Sequence, residues 1–249
     1  MTTETRGGSW IRRFHPAPDR PGRLVLLPHA GGSASFYLPL SEALSAQVDV
    51  LVIQYPGRLD RLSEPCPSTI DGFTAGVLAE LGPWLDRPTV LFGHSMGAIV
   101  AFELAGRLER EHGVVPRHLV VSGRREPADN RNETVHLRDD DGLLEEVAQL
   151  SGTDPRVLAE PELRAMILPA LRADYRAIET YTYRPAPPLR CPILALTGEA
   201  DPRVSVEETG RWRTYTTGRF DLEVFPGGHF YLTDQRTAVA SAVLSRLGL

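Results

Sequence analysis

Cysteine is scarce in this sequence: Cys66 and Cys191 are the only two among 249 residues, and neither sits in a C-x-x-C pair. A disulfide-stapled scaffold, a zinc knuckle and a dithiol redox centre are therefore not expected, and both thiols are expected to be free. Long apolar runs are missing too. Stretches such as 24–27 and 89–92 fall far short of the ~18–20 residues that cross a bilayer. The polar start, with Arg6, Arg12 and Arg13, has no apolar run behind it to serve as a secretory signal. A cytoplasmic protein with no membrane partner is the expectation. There is no excess of positive charge either: the formal net charge is −5, which removes any global attraction to nucleic acid or anionic lipid. Internal repeats and low-complexity segments are absent, as are G-x-G-x-x-G and phosphate-loop motifs, so neither a cofactor nor a metal is expected.

What is present is an alternation of short apolar runs with helical periodicity. Residues 23–28, 48–55, 89–93, 118–122, 192–197 and 220–225 read as strands, and 36–46, 70–81, 98–111 and 238–247 as helices. Strands alternating with helices imply a mostly parallel sheet covered on both faces, and the nearly continuous apolarity of the strands agrees. One domain spanning 1–249 is the simplest reading at this length. Between Glu126 and Pro188 the alternation halts. An amphipathic stretch over 143–150 and helical stretches over 161–180 mark this segment, 126–188, as an insertion, and the prolines 185, 187 and 188 mark its exit. The first residues, up to Arg13, read as a frayed start.

The strand 89–93 runs into Gly93-His94-Ser95-Met96-Gly97, and a helix follows. This is G-x-S-x-G in the strand–turn–helix context that the motif requires. Its glycines admit the close backbone approach of a sharp turn, and the turn presents the Ser95 hydroxyl. The helix N-terminus favours developing negative charge, so the Met96 N–H is a candidate oxyanion donor. A serine hydroxyl needs a base within reach and a carboxylate to orient that base. Asp201 and His229 follow late strands and emerge at the same carboxyl edge of the sheet as Ser95. Their chain order, Ser95, Asp201, His229, is that of the α/β-hydrolase fold. The loop His29-Ala30-Gly31-Gly32 reaches that edge as well and offers Ala30 N–H as the second donor. Three residues compete for roles. Glu199 is a rival acid two residues before Asp201. His94, beside the nucleophile, reads better as a structural group than as the base, because the base should arrive from a late loop. His29 reads as a residue that satisfies loop hydrogen bonds.

Taken together, Pro28-His29-Ala30-Gly31-Gly32, residues 55–61, Gly93-His94-Ser95-Met96-Gly97, Ser122-Gly123-Arg124-Arg125 and residues 227–232 resemble the type II thioesterases that accompany modular polyketide synthases and non-ribosomal peptide synthetases. The resemblance covers nearly the whole chain. It implies hydrolysis of acyl groups from the phosphopantetheine arm of acyl or peptidyl carrier proteins, which clears aberrant or stalled chains, and it identifies the insertion as a helical lid. It also motivates the expectation that some of Arg58, Arg61, Arg124 and Arg125 steer an acidic carrier protein or its phosphate. A monomer is the default expectation. The competing readings are a carboxylesterase or lipase, an acyltransferase, and a binding module that kept the fold without the chemistry.

Overall fold

The computed structural model of the protein describes residues 10–129, 131–150 and 160–247. Among them, seven strands form one sheet: β1 (Ile11–Arg12), β2 (Arg23–Leu27), β3 (Asp49–Ile53), β4 (Thr89–His94), β5 (His118–Ser122), β6 (Ile193–Gly198) and β7 (Phe220–Phe225). Their spatial order is β1-β3-β2-β4-β5-β6-β7. Every pairing is parallel except that of β1, which runs antiparallel to β3. The described helices are α1 (Leu38–Leu44), α2 (Ile70–Leu81), α3 (Met96–Glu111), α4 (Asp140–Gln149), α5 (Pro161–Glu179), α6 (Val206–Gly210), α7 (Tyr231–Asp234) and α8 (Arg236–Leu244).

Strands β2, β3, β4 and β6 are buried at every position, which follows from helices lying on both faces of a parallel sheet. The two-residue period of a strand then divides their side chains between two cores. Val25, Leu27, Leu51 and Ile53 pack with Phe73 of α2 and Leu104 of α3 on one face. Leu24, Leu26, Val50 and Val52 pack with Leu44 of α1 and Val243 of α8 on the other. Local chemistry sets the helix starts. The Thr69 hydroxyl accepts the Gly72 N–H at 3.0 Å ahead of α2, and Asp139 accepts that of Gly142 at 2.8 Å ahead of α4, each satisfying a donor the helix cannot. Pro161 opens α5, where its missing N–H costs nothing.

Helices α4 and α5 occupy the connection between β5 and β6. They enclose a third, smaller core of Val135, Leu143, Leu144, Val147, Leu171 and Tyr175, against which Ala30 packs. Residues 130 and 151–159 of this connection lie outside the described residues, as do residues 1–9 of the predicted frayed start. From Trp10 onward that start is tied to the sheet. Ile11 pairs with Ile53, Gln54 donates its N–H to the Trp10 carbonyl at 2.8 Å, and the Trp10 ring meets Tyr55 edge-on. Among the described residues no helix is long and apolar enough to cross a membrane.

Candidate active site

The turn between β4 and α3 is built by backbone contact. A Cβ on Gly93 would lie 2.0 Å from the Gly97 carbonyl oxygen, and one on Gly97 would lie 2.2 Å from that of Leu27. Neither position admits a side chain. Ser95 pivots between them at φ 55° and ψ −118°, a strained conformation for a residue with a Cβ. It is held there by its N–H, which donates to the Ser122 carbonyl at 2.8 Å. Met96, buried, is the first residue of α3, so its N–H has no partner within the helix.

Loops after β6 and β7 bring the other two residues. The Nδ1 of His229 lies 2.9 Å from Oδ2 of Asp201, and both side chains are almost wholly buried. The second carboxylate oxygen of Asp201 accepts the Arg203 N–H at 2.8 Å. With Nδ1 donating to Oδ2 of Asp201, Nε2 of His229 is left as the acceptor nitrogen. Asp201, not Glu199, meets the imidazole: Glu199 is exposed. Ala30, Ser95, Met96 and His229 together line a cavity of about 40 Å³. The residues predicted for the site thus converge on one place. Such an arrangement gathers a serine hydroxyl, an imidazole backed by a carboxylate, and the backbone of Ala30 and Met96 around one cavity, the kinds of group that acyl transfer through serine uses. A wider cleft of about 730 Å³, lined by Phe102, Arg110, Tyr181 and Pro185 among others, contains none of them. Among the described residues no three His, Cys, Asp or Glu side chains gather as metal ligands would.

Two histidines beside the site, His94 and His29, are held neutral by burial. The Nδ1 of His94 lies 2.9 Å from the Ser122 hydroxyl, which in turn lies 2.7 Å from the Tyr231 hydroxyl. Desolvation, with the adjacent His229 and His29, keeps the His94 pKa well below the ordinary value. The ring of His29 is wedged edge-on between Phe36 and Phe230. Burial, then His229 and Arg58, push its pKa down to about 3.

Of the four arginines, some of which are expected to steer a carrier protein, three are turned away from that role: Arg58, Arg61 and Arg125 are 3–5% exposed. Arg58 donates to the carbonyls of Gly32 at 2.9 Å and Pro56 at 2.7 Å and pairs with Asp174. Arg61 donates to the Gln54 carbonyl at 2.8 Å and to Glu64 at 2.7 Å. Arg125 donates to the Arg203 carbonyl at 3.0 Å and faces Glu133. They do stand at the carboxyl edge of the sheet, as predicted, but the sheet's own loops and the β5–β6 connection cover them. Only Arg124 keeps some exposure; it borders the Ser95 cavity, and burial lowers its pKa to about 10. Asp174, which no sequence motif marked, is completely buried on α5. The one available signal was a lone acid within an otherwise apolar stretch of the α5 face.

This is the α/β-hydrolase fold, with a nucleophile-type turn and a buried His–Asp pair at the carboxyl edge of its sheet. A family model described as the thioesterase domain matches residues 22–247, and the chain belongs to that family. It is 48% identical over 241 residues to thioesterase PikA5 of Streptomyces venezuelae, covering 96% of this chain and 86% of that one. It is 50% identical over 246 residues to a probable cadicidin biosynthesis thioesterase of Streptomyces griseus, covering 99% of this chain and 68% of the relative. The solved structure of the type II thioesterase BorB, from the borrelidin biosynthetic cluster, superposes with a TM-score of 0.91 at 46% identity, covering 99% of this chain and 100% of that one. The protein is a thioester hydrolase of the type II kind.

Proposed function

We propose that this thioesterase removes acyl groups from the phosphopantetheine arm of acyl or peptidyl carrier proteins, editing stalled or aberrant chains on a polyketide or non-ribosomal peptide assembly line. The observation that carries the chemistry is the meeting of Ser95, on its strained turn, with His229 in one cavity, while Asp201 holds the far side of the imidazole. Ser95 Oγ attacks the thioester carbonyl as Nε2 of His229 takes its proton. The N–H groups of Ala30 and Met96 hold the oxyanion. The tetrahedral intermediate collapses with breakage of the C–S bond, and the imidazolium returns its proton to the pantetheine sulfur. Water, deprotonated by the same imidazole, then attacks the acyl-enzyme, releasing a carboxylic acid and restoring Ser95.

The connection 126–188 acts in this reading as a lid over a single domain. At about 40 Å³ the cavity is far below the ~300–1,000 Å³ of pockets that enclose a ligand, so in this reading α4 and α5 shift before an acyl-pantetheine enters. The working form is proposed to be a cytoplasmic monomer. The assembly-line setting is supported by relatives named for the cadicidin and borrelidin systems. A general esterase would use the same three residues, and membership of the thioesterase family favours the thioester.

The test presents one acyl group as carrier-protein thioester, as small-molecule thioester and as oxygen ester, with Ser95→Ala as control. Preference for the carrier-bound thioester, abolished in the variant, is expected. Preference for the free oxygen ester refutes the editing role, and activity that survives in Ser95→Ala refutes the mechanism.

A further inference from the structure

Arg58 and Asp174 take no part in the steps above, yet between them they grip the turn that carries Ala30 from both of its polar sides. Oδ2 of Asp174 accepts the Gly31 N–H at 2.7 Å and also the Nη2 of Arg58. Arg58, through Nε, donates to the Gly32 carbonyl at 2.9 Å. Gly31 has φ +74°, and a Cβ there would come 2.7 Å from Cδ1 of Leu171, so α5 packs directly on the turn. Ala30 itself rests on the small core of the β5–β6 connection. The Gly32 N–H in turn donates to the His29 carbonyl at 2.9 Å, and that carbonyl shares one rigid peptide plane with the Ala30 N–H, so holding Gly31 and Gly32 in place also holds the direction of the Ala30 N–H.

We propose that Asp174, acting with Arg58, is a positioning residue for the oxyanion site: it holds the Ala30 turn in its productive orientation only while α5 is seated. Asp174 belongs to the β5–β6 connection, whereas the turn and Arg58 belong to the body of the sheet. When α5 lifts, Gly31 loses its acceptor and Arg58 its counter-ion, and the donor is released. A thioester therefore enters while α5 is displaced and the oxyanion site is incomplete, and chemistry waits until α5 is seated again beside it. This inference rests on the assignment of Ala30 N–H as an oxyanion donor.

The ion pair is poorly suited to a purely stabilising role. Oδ1 of Asp174 is buried with no hydrogen-bond partner, and burial pushes the carboxyl pKa up against the opposing pull of Arg58 and the Gly31 N–H. Buried pairs of this kind are weak sources of stability and are often replaced by apolar residues at little cost. That property supplies the test.

In the charge-free variant Arg58→Met/Asp174→Leu the fold is expected to persist, with kcat on a small acyl thioester reduced about 10²-fold, the effect of losing one oxyanion donor, and KM within threefold of wild type. The inhibition constant of a trifluoromethyl ketone, which adds to serine as a tetrahedral oxyanion, should rise in proportion to the loss in kcat/KM. Arg58→Met/Asp174→Asn returns an uncharged acceptor to the Gly31 N–H and should recover at least tenfold of the lost kcat. A folded Leu variant with kcat within threefold of wild type, or an Asn variant without recovery, overturns the inference. If a serine-directed phosphonate labels Ser95 and the ketone inhibits the wild type, those failures belong to the clamp alone. If the wild type is neither labelled nor inhibited, the underlying assignment of the site falls and takes the clamp with it.

Discussion

Gly93→Ala tests whether the placement of Ser95 depends on backbone contact. The new Cβ would stand 2.0 Å from the Gly97 oxygen, 2.3 Å from the Gly97 carbonyl carbon and 2.5 Å from the Ala98 nitrogen, where contacts under 3.0 Å essentially never occur. All three neighbours are backbone, so no side chain can swing aside. Relief requires the first turn of α3 to retreat by about 1 Å, and α3 is bedded in the core through Val100, Leu104 and Leu108. Ser95 and the Met96 N–H lie between the two glycines and move with that turn. A displacement of about 1 Å at reacting groups costs ~10²-fold in rate, or ~2.7 kcal/mol of transition-state stabilisation. Overpacking adds about 1–3 kcal/mol of lost stability. The assay is kcat/KM on a small acyl thioester alongside a urea unfolding curve, at a temperature where both proteins are folded. Gly82→Ala is the control, since nothing lies within 4 Å of a Cβ there; it should leave both measurements unchanged. A folded Gly93→Ala enzyme with kcat/KM within threefold of wild type would refute the reasoning.

The identity of the orienting acid can be tested by a pair of variants. Asp201→Asn should lower kcat by about 10³–10⁴-fold by stabilising the wrong imidazole tautomer, while Glu199→Gln, altering an exposed side chain, should stay within twofold; equal losses in the two would remove Asp201 from its role. Acid should weaken the fold through His29. The folded imidazole resists protonation until about pH 3, whereas the unfolded chain takes up its proton near the ordinary value of about 6.5. The unfolded state therefore binds the extra proton between those limits, so stability is complete above about pH 6.5 and falls as pH drops toward 3. At pH 5 the loss from this group is ~2 kcal/mol. The urea midpoint should fall less between pH 7 and pH 5 in His29→Gln than in wild type, and equal falls would contradict the assignment.

The sheet and the serine turn were legible because both have local signatures. Continuous apolar runs of five or six residues separated by helical spacing leave few alternatives to a covered parallel sheet. Gly93 and Gly97 sit where a strand gives way to a helix. Elements too short to show a period escaped: β1 has two residues and α7 four, and both are held by tertiary contacts. The choice between Glu199 and Asp201 lay in a loop, where neither the strand period nor the helix period assigns a direction. The arginines illustrate a different limit. Sequence placed Arg58 at the right edge of the sheet, but its carboxylate partner is 116 residues away, and a contact of that span leaves no periodic trace. An arginine that the family resemblance offers as a carrier contact is turned inward by that partner.

The small core shared by α4 and α5 has a consequence for redesign. Because Leu143, Leu144, Val147 and Leu171 satisfy one another, the roof of the cavity coheres by its own contacts, while Ser95, Asp201 and His229 are anchored in the floor. Roof and floor meet where Leu171 packs on Gly31 and Asp174 pairs with Arg58. Exchanging the roof for that of a homologue should transfer preference for one acyl chain over another without rebuilding the chemistry beneath, so long as the incoming helix delivers a carboxylate opposite Arg58.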